Sequence, residues 1–280
     1  MTAPALDPAA RAGFAQHPPR VGFFTDTSVC IGCKACEVAC KEWNGVPEGG
    51  LDFRATSYDN TGMLGADSWR HVAFVEQPRG GDGYNTRGDG RTGVRWLMSS
   101  DVCKHCTRAA CLDVCPTGAL FRTEFGTVVV QQDVCNGCGY CVSACPFGVI
   151  DQRKGDGRAW KCTLCYDRLG AGGEPACAQA CPTDSIQFGP VEELRADAAR
   201  RVSRLRDAGI DRARLYGHDS GDGVGGFGAF FLLLDEPEVY GLPPDPVVTT
   251  RDLPGMWRAA AAAAVSLAVG VAAAFVGSRR

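Results

Sequence analysis

From Cys135 to Pro146 the chain reads CNGCGYCVSACP. Cys135, Cys138 and Cys141 stand two residues apart, and Cys145 follows three residues later, just before Pro146. Thiolates at such short intervals let a tight loop wrap one [4Fe–4S] cubane, while the fourth cysteine faces away toward a second one. Gly137 and Gly139 lie between the ligands. Without a Cβ they let the backbone approach closely, take positive φ and turn N–H groups toward the sulfurs.

The same pattern recurs on both sides. One run is Cys30-x2-Cys33-x2-Cys36-x3-Cys40, with Gly32 in the loop. Another is Cys103-x2-Cys106-x4-Cys111-x3-Cys115-Pro116, and the last is Cys162-x2-Cys165-x11-Cys177-x3-Cys181-Pro182. The first and third runs have the bacterial ferredoxin spacing; the second and fourth lengthen its middle loop. All 16 cysteines lie in these runs. At four thiolates per cubane, that makes four [4Fe–4S] clusters with none left over. Disulfides would be strained between cysteines two residues apart. Zinc ribbons use pairs of Cys-x2-Cys and have no use for a third cysteine at the same interval. No run reads Cys-x3-Cys-x2-Cys, as a radical enzyme would require. Because each fourth cysteine serves a neighbour, the runs must close on each other in pairs. The second and third runs are 19 residues apart and suit one compact two-cluster unit, with the first and fourth nested around it. Pairing first with second and third with fourth is also sterically open.

The rest of the chain frames these loops. Hydrophobic content of 45% and charged content of 22% suit a folded protein with a real core. A net charge of −3 offers no basic excess for a nucleic-acid partner. Residues 1–20 are read as a loose leader. They hold no continuous apolar stretch of a secretory signal, and Arg20 stands alone rather than as a twin-arginine pair. A four-cluster domain is expected over 21–190, with an insertion at 41–100. Strands are predicted at Val21–Asp26, Trp69–Glu76, Arg95–Met98 and Ser185–Phe188. Hairpins are predicted at Ala119–Arg122 with Thr127–Gln131, and at Gly148–Asp151 with Ala159–Lys161. The strands flanking the first and fourth runs could pair and close the outer unit. An extension over 191–250 should hold a helix from Val191 to Ala208, with Val191, Leu194, Ala198, Val202 and Leu205 as its apolar stripe, and a buried strand at Phe227–Leu234. The fold class is α+β: two nested ferredoxin-like dicluster units with an insertion, and one C-terminal transmembrane helix. That helix is expected at about 259–277, after a Pro-rich linker, because Ala259 to Gly277 is uncharged and just long enough to span a bilayer. Ser266, Gly270 and Ala274 form a small-residue stripe suited to packing on partner helices. Arg279–Arg280 favour a cytoplasmic C-terminus; Arg251 and Arg258 on the other flank offset part of that bias.

Other features receive bland readings. Gly221, Gly223 and Gly226 satisfy G-x-G-x-x-G, but a strand follows where a dinucleotide site needs a helix. Arg87-Gly88-Asp89 sits in a Gly-rich loop over 77–93, where chance accounts for it. His105, between Cys103 and Cys106, is read as a solvated loop histidine rather than a hydrogen-bond donor to a cluster. Trp43 and Trp160 are read as packing that keeps water from the clusters. No nucleophile, general base or substrate pocket stands out.

Three stretches, CIGCKACEVACKEWN (Cys30–Asn44), NGCGYCVSACPFGV (Asn136–Val149) and KCTLCYDRL (Lys161–Leu169), carry a resemblance. So do EPACAQACPTDSIQFG (Glu174–Gly189), GVGG (Gly223–Gly226) and LPPDP (Leu242–Pro246). The chain resembles the iron–sulfur (beta) subunits of membrane-bound formate dehydrogenases, within the four-cluster subunits that accompany molybdopterin oxidoreductases. The resemblance implies that the first run pairs with the fourth and the second with the third. It implies one cluster on Cys30, Cys33, Cys36 and Cys181, and a second on Cys162, Cys165, Cys177 and Cys40. A third would be held by Cys103, Cys106, Cys111 and Cys145, and a fourth by Cys135, Cys138, Cys141 and Cys115. It further implies a molybdopterin-containing catalytic subunit at one end of the line of clusters and an integral membrane, quinone-reducing subunit at the other. The chain would then be a non-catalytic electron carrier anchored in the cell membrane, its cluster domain on the outer face. Subunits of polysulfide, dimethyl sulfoxide and nitrate reductases, and of hydrogenases, are the alternative.

Overall fold

The structure, a computed structural model, describes residues 7–50, 55, 58–78 and 94–277. In chain order the first half holds α1 (Pro8–Arg11), β1 (Val21–Asp26), α2 (Ala35–Asn44), β2 (Arg70–Pro78), β3 (Val94–Val102), α3 (Ala110–Asp113), β4 (Leu120–Arg122) and β5 (Val128–Val130). There follow α4 (Tyr140–Ala144), β6 (Asp151–Gln152), β7 (Ala159–Trp160), α5 (Tyr166–Gly170) and α6 (Ala176–Gln179). The chain closes with β8 (Ile186–Pro190), α7 (Val191–Asp207), β9 (Arg214–Tyr216), β10 (Ala229–Leu233) and α8 (Leu253–Gly277). Most of the Gly-rich loop, with Arg87-Gly88-Asp89, falls outside the described residues, as do Arg279 and Arg280.

One sheet organises the molecule. Its strand order is β8-β1-β10-β9, with β1 antiparallel to β8 and parallel to β10. The strands flanking the first and fourth cysteine runs therefore do pair, with Phe23 opposite Phe188. Of the two central strands, AFFLL is apolar throughout and VGFFTD through Phe24, because both sheet faces are covered; Thr25 and Asp26 are buried as well, Asp26 paired with Arg201. Neighbouring side chains of β1 point opposite ways. Phe24 stacks on Phe230 at 5.4 Å in a core completed by the α7 stripe. Phe23 enters a second core that contains Cys36, Cys40, Cys162 and Cys177. All five stripe residues of α7 are buried as expected. Glu192 and Glu193 in its first turn and Arg204 and Arg206 in its last oppose the helix dipole.

Gly22 shows how closely β1 and β10 are set. A Cβ there would lie 1.8 Å from the Gly228 carbonyl oxygen, which accepts the Phe23 N–H at 2.8 Å. Gly22→Ala must push the strands apart and is expected to cost about 3 kcal/mol. Thermal unfolding of the purified protein should then begin about 6 °C lower or more; an unchanged midpoint would show that this junction yields freely.

The predicted hairpins form as β4–β5 and β6–β7, shorter than expected and with β6 shifted to Asp151–Gln152. Two features were not anticipated. β9 caps the outer side of β10 although its three residues carry little strand signal. The strand-like segments at 69–98 form one long hairpin, with β2 and β3 paired from Arg70↔Val102 to Pro78↔Val94. Helix α8 starts at Leu253, earlier than the uncharged run, because Pro254 is tolerated in a first turn. Its residues through Phe275 are exposed, and Leu253–Phe275 has a mean hydropathy of 1.8. Among the described residues it is the one helix long and apolar enough to cross a membrane.

Candidate cluster-binding sites

Each cysteine run begins with the same backbone device. The residue just before the second cysteine is left-handed in all four: Gly32 (φ 66°), His105 (43°), Gly137 (72°) and Leu164 (57°). The turn inverts the chain and aims N–H groups inward. The Leu164 N–H lies 3.3 Å from Cys162 Sγ, and the Ala159 N–H lies 3.4 Å from Cys135 Sγ. Glycine is needed at 137 for space as well, since a Cβ would lie 2.7 Å from the Gly157 carbonyl oxygen. A short helix then carries the next cysteine of each run: Cys36 on α2, Cys111 on α3, Cys141 on α4 and Cys177 on α6. Cys36 and Cys40 are one turn apart on α2, about 6 Å along its axis, so one helix serves two neighbouring sites.

The thiols gather in fours. Cys30, Cys33, Cys36 and Cys181 line one small cavity. Cys103, Cys106, Cys111 and Cys145 line another, and Cys115, Cys135, Cys138 and Cys141 a third. Cys40, Cys162, Cys165 and Cys177 make the remaining group. Burial pushes the Cys40 thiol well up, and Cys162, Cys177 and Cys165 add to the shift. The Asn44 amide reaches Cys40 Sγ at 3.8 Å and Cys165 Sγ at 3.7 Å. Zinc would hold its sulfurs about 2.3 Å from one centre. Among the described residues no three or more His, Cys, Asp or Glu side chains converge that tightly. In three of the groups the four thiols line one common site instead, the ligand set a cubane needs.

The four groups neighbour one another in succession. Cys36 of the first lies within electrostatic reach of Cys177, Cys162 of the next within reach of Cys103, and Cys111 within reach of Cys141. Cys33 and Cys138, at the two ends, are exposed. The interior thiols resist ionisation: burial pushes Cys36 up to about 11, and Cys111 and Cys162 up to about 12. Bare thiols here stay protonated at neutral pH, so bound iron must displace the protons and supply the charge that stabilises the thiolates.

Buried cations accompany them. Lys104, Lys161 and Arg70 are all nearly inaccessible, an arrangement that is costly unless anions lie close by. Lys161 Nζ donates to the Val128 carbonyl and, at 2.8 Å, to that of Cys162. Lys104 Nζ donates to the Val102 carbonyl at 2.9 Å and pairs with Asp101. Arg70 Nη2 donates to Cys177 Sγ at 3.1 Å. Burial works against the guanidinium, but Cys177, Cys36 and Cys162, once they are thiolates, outweigh it and raise its pKa.

Two expectations about single residues change. His105 is not a solvated loop residue. It is 1% exposed and lines the cavity of Cys103, Cys106, Cys111 and Cys145. Its Nδ1 accepts the Val128 N–H at 3.1 Å, so Nε2 carries the proton, and that atom is buried without a protein partner. Burial, then Lys161 and Arg122, drive its pKa well down, which keeps the ring neutral. Trp43 is 49% exposed, with Nε1 donating to Asp167 Oδ2 at 2.9 Å and Arg168 stacked at 4.2 Å, so it does not seal a site. Trp160 does pack, against Trp69 at 6.2 Å and under the Arg153 guanidinium at 3.7 Å. The GVGG glycines form a loop leaning on the second run: the Gly226 carbonyl accepts the Thr107 N–H at 3.0 Å and its hydroxyl at 2.9 Å.

Comparison with known proteins agrees with this geometry. Two family models, both described as 4Fe-4S dicluster domains, match residues 29–119 and 94–191. Their linear division cuts across the nesting seen in the sheet. The nitrate-inducible formate dehydrogenase iron–sulfur subunit of Escherichia coli is 39% identical over 88% of this chain and 79% of its own length. The formate dehydrogenase-O iron–sulfur subunit of the same organism is 38% identical over 98% of this chain and 85% of its own. A polypeptide of the anaerobic dimethyl sulfoxide reductase of Escherichia coli is also 39% identical, but over 62% of this chain and 75% of its own length. With its cysteines grouped in buried fours, its two dicluster domains and relatives spanning most of its length, the chain belongs to the family of formate dehydrogenase iron–sulfur subunits.

Proposed function

We propose that this chain is the electron-carrying subunit of a membrane-bound formate dehydrogenase and holds four [4Fe–4S] clusters, one on each group of four cysteines. The observation that carries the reading is the row itself. One end is the group of Cys30, Cys33, Cys36 and Cys181. At the other end, the segment leading into α8 is fastened to the unit of the second and third runs. Thr249 Oγ1 donates to the Ala144 carbonyl at 3.1 Å, and Thr250 Oγ1 to Asp113 Oδ2 at 2.7 Å. Val248, just before these threonines, lines the cavity of Cys103, Cys106, Cys111 and Cys145, so helix α8, crossing the bilayer, leaves the domain beside that unit. In this reading a molybdopterin-containing catalytic partner sits at the Cys33 end, a quinone-reducing membrane subunit sits beside the unit of the second and third runs, and the cluster domain lies on the outer face. Formate oxidation to carbon dioxide releases two electrons and one proton. Clusters of this type, when bound, accept and release one electron at a time, so the pair must travel singly. The chain's own part is to set the distances, exclude water and tune each site by charge and hydrogen bonds. It is proposed to have no active site of its own.

The test is to tag the chain, purify it anaerobically in mild detergent, and measure metal and activity together. About 16 iron and 16 labile sulfide per chain, with formate-dependent dye reduction by a co-purifying molybdopterin subunit, are expected. Half that iron would overturn the four-cluster count. A partner that ignores formate but reduces dimethyl sulfoxide would keep the carrier role and overturn the substrate; the shorter match to the dimethyl sulfoxide reductase polypeptide makes this the competing outcome.

A further inference from the structure

The β2–β3 hairpin drives one cation into the middle of the cysteine array. Arg70 is 2% exposed, and its guanidinium lies over the Phe23 ring at 4.8 Å. One arm, Nη2, donates to Cys177 Sγ at 3.1 Å. The other, Nη1, donates to Ser100 on the facing strand, to its carbonyl at 3.2 Å and its hydroxyl oxygen at 3.4 Å. Ser100 Oγ in turn lies 3.2 Å from Cys36 Sγ. Cys36 and Cys177 belong to different groups of four. When Cys36 is a thiolate on iron it has no proton to give, so the Ser100 hydroxyl must donate to it. The donors then run from Arg70 directly to one site and, through Ser100, to the next.

We propose that Arg70 is a positioning residue for electron transfer that raises the reduction potentials of the first two sites in the row together. This rests on the reading of those cysteine groups as [4Fe–4S] ligands. A cubane with four thiolates is a net anion, and its negative charge grows by one when it takes an electron. A fixed cation beside it therefore favours the reduced form more than the oxidised one, and more strongly where water is excluded. Hydrogen bonds to the ligand sulfurs act in the same direction. Each site gains one electron from its neighbour and passes one on, while the guanidinium keeps its proton. Arginine's planar fork reaches both strands of contact at once, whereas a lysine ammonium would hold only the charge.

The experiment is a potentiometric titration followed by electron paramagnetic resonance on the intact purified complex. Wild type is compared with Arg70→Met, Arg70→Lys and Ser100→Ala, with iron and sulfide measured in every sample. Cys33→Ser and Cys165→Ser variants identify the signals of the two sites. In Arg70→Met, the ratio of reduced to oxidised centres at those sites should fall about tenfold at a fixed potential, equivalent to 59 mV for one electron. The other sites should move less. Arg70→Lys should recover part of the loss at both, and Ser100→Ala should lower the Cys36 site alone. Unmoved potentials with full iron content, or an equal shift at all sites, would overturn the proposal. If Arg70→Met fails to assemble, Ser100→Ala decides: no shift at the Cys36 site overturns it. A wild-type complex with half the expected iron would sink the ligand reading rather than the role of Arg70.

Discussion

Replacing Cys162 by serine should stop formate-driven quinone reduction in membranes, by about 100-fold or more, while dye reduction at the catalytic partner continues. Cys162 is buried and stands where the inner and outer units meet, within reach of both Cys177 and Cys103. Loss of a supporting group around a metal site already costs about 10–100-fold; loss of a ligand at the middle of a single file should cost more, because no parallel route bypasses it. Catalysis at the partner does not depend on this site, so an artificial acceptor drawing electrons before the row should see no change. The measurement pairs quinone reduction with dye reduction on the same membranes. Quinone reduction surviving in the serine variant would mean that electrons do not pass through this group.

Stripping the iron should unfold the cysteine-rich half of the molecule. Cysteines make up much of the interior around β4 and β5, beside a small apolar set that includes Leu120, Val128, Val130 and Ile150. Even a single structural zinc contributes about 10–16 kcal/mol, as much as the whole stability of a typical domain at about 5–15 kcal/mol. The buried cations add to the effect, since Lys161 and Arg70 would be left without the anions that balance them. After treatment with a chelator under reducing conditions, limited proteolysis should cut within residues 103–181 well before it cuts α7, whose stripe lies in a separate apolar core. Equal resistance with and without iron would show that the loops hold their shape unaided.

How far this could be read in advance depended on range. The cysteine runs were legible because ligation is local: three thiolates must reach one cubane from a single short loop, so the spacing carries the chemistry. The same holds for Gly32 and Gly137, whose positive φ was expected from their place between ligands and is observed. The α7 stripe and the long apolar helix were legible for a similar reason, since each is a periodic or compositional signal within one segment. His105 was misjudged because its burial comes from elsewhere, with Val128 supplying the N–H and Lys161 and Arg122 the surrounding charge. Arg70 left no trace in its own segment. It is the second residue of what reads as an ordinary alternating strand, yet its partner Cys177 is 107 positions away.

By itself, then, the sequence determined the metal chemistry, the four loops that serve it, the α+β class and the segment suited to a membrane, because each depends on residues close together along the chain. Which loops face each other, the succession of the groups, the unit that α8 leaves from, and the placing of Arg70, Ser100 and His105 among the thiols were decided by tertiary structure alone. The physical reason is that all of these follow from one long-range event. β1 and β8, separated by most of the domain, pair in a sheet whose two faces must both be buried. That closure brings together groups whose mutual charge and hydrogen bonding no local pattern encodes.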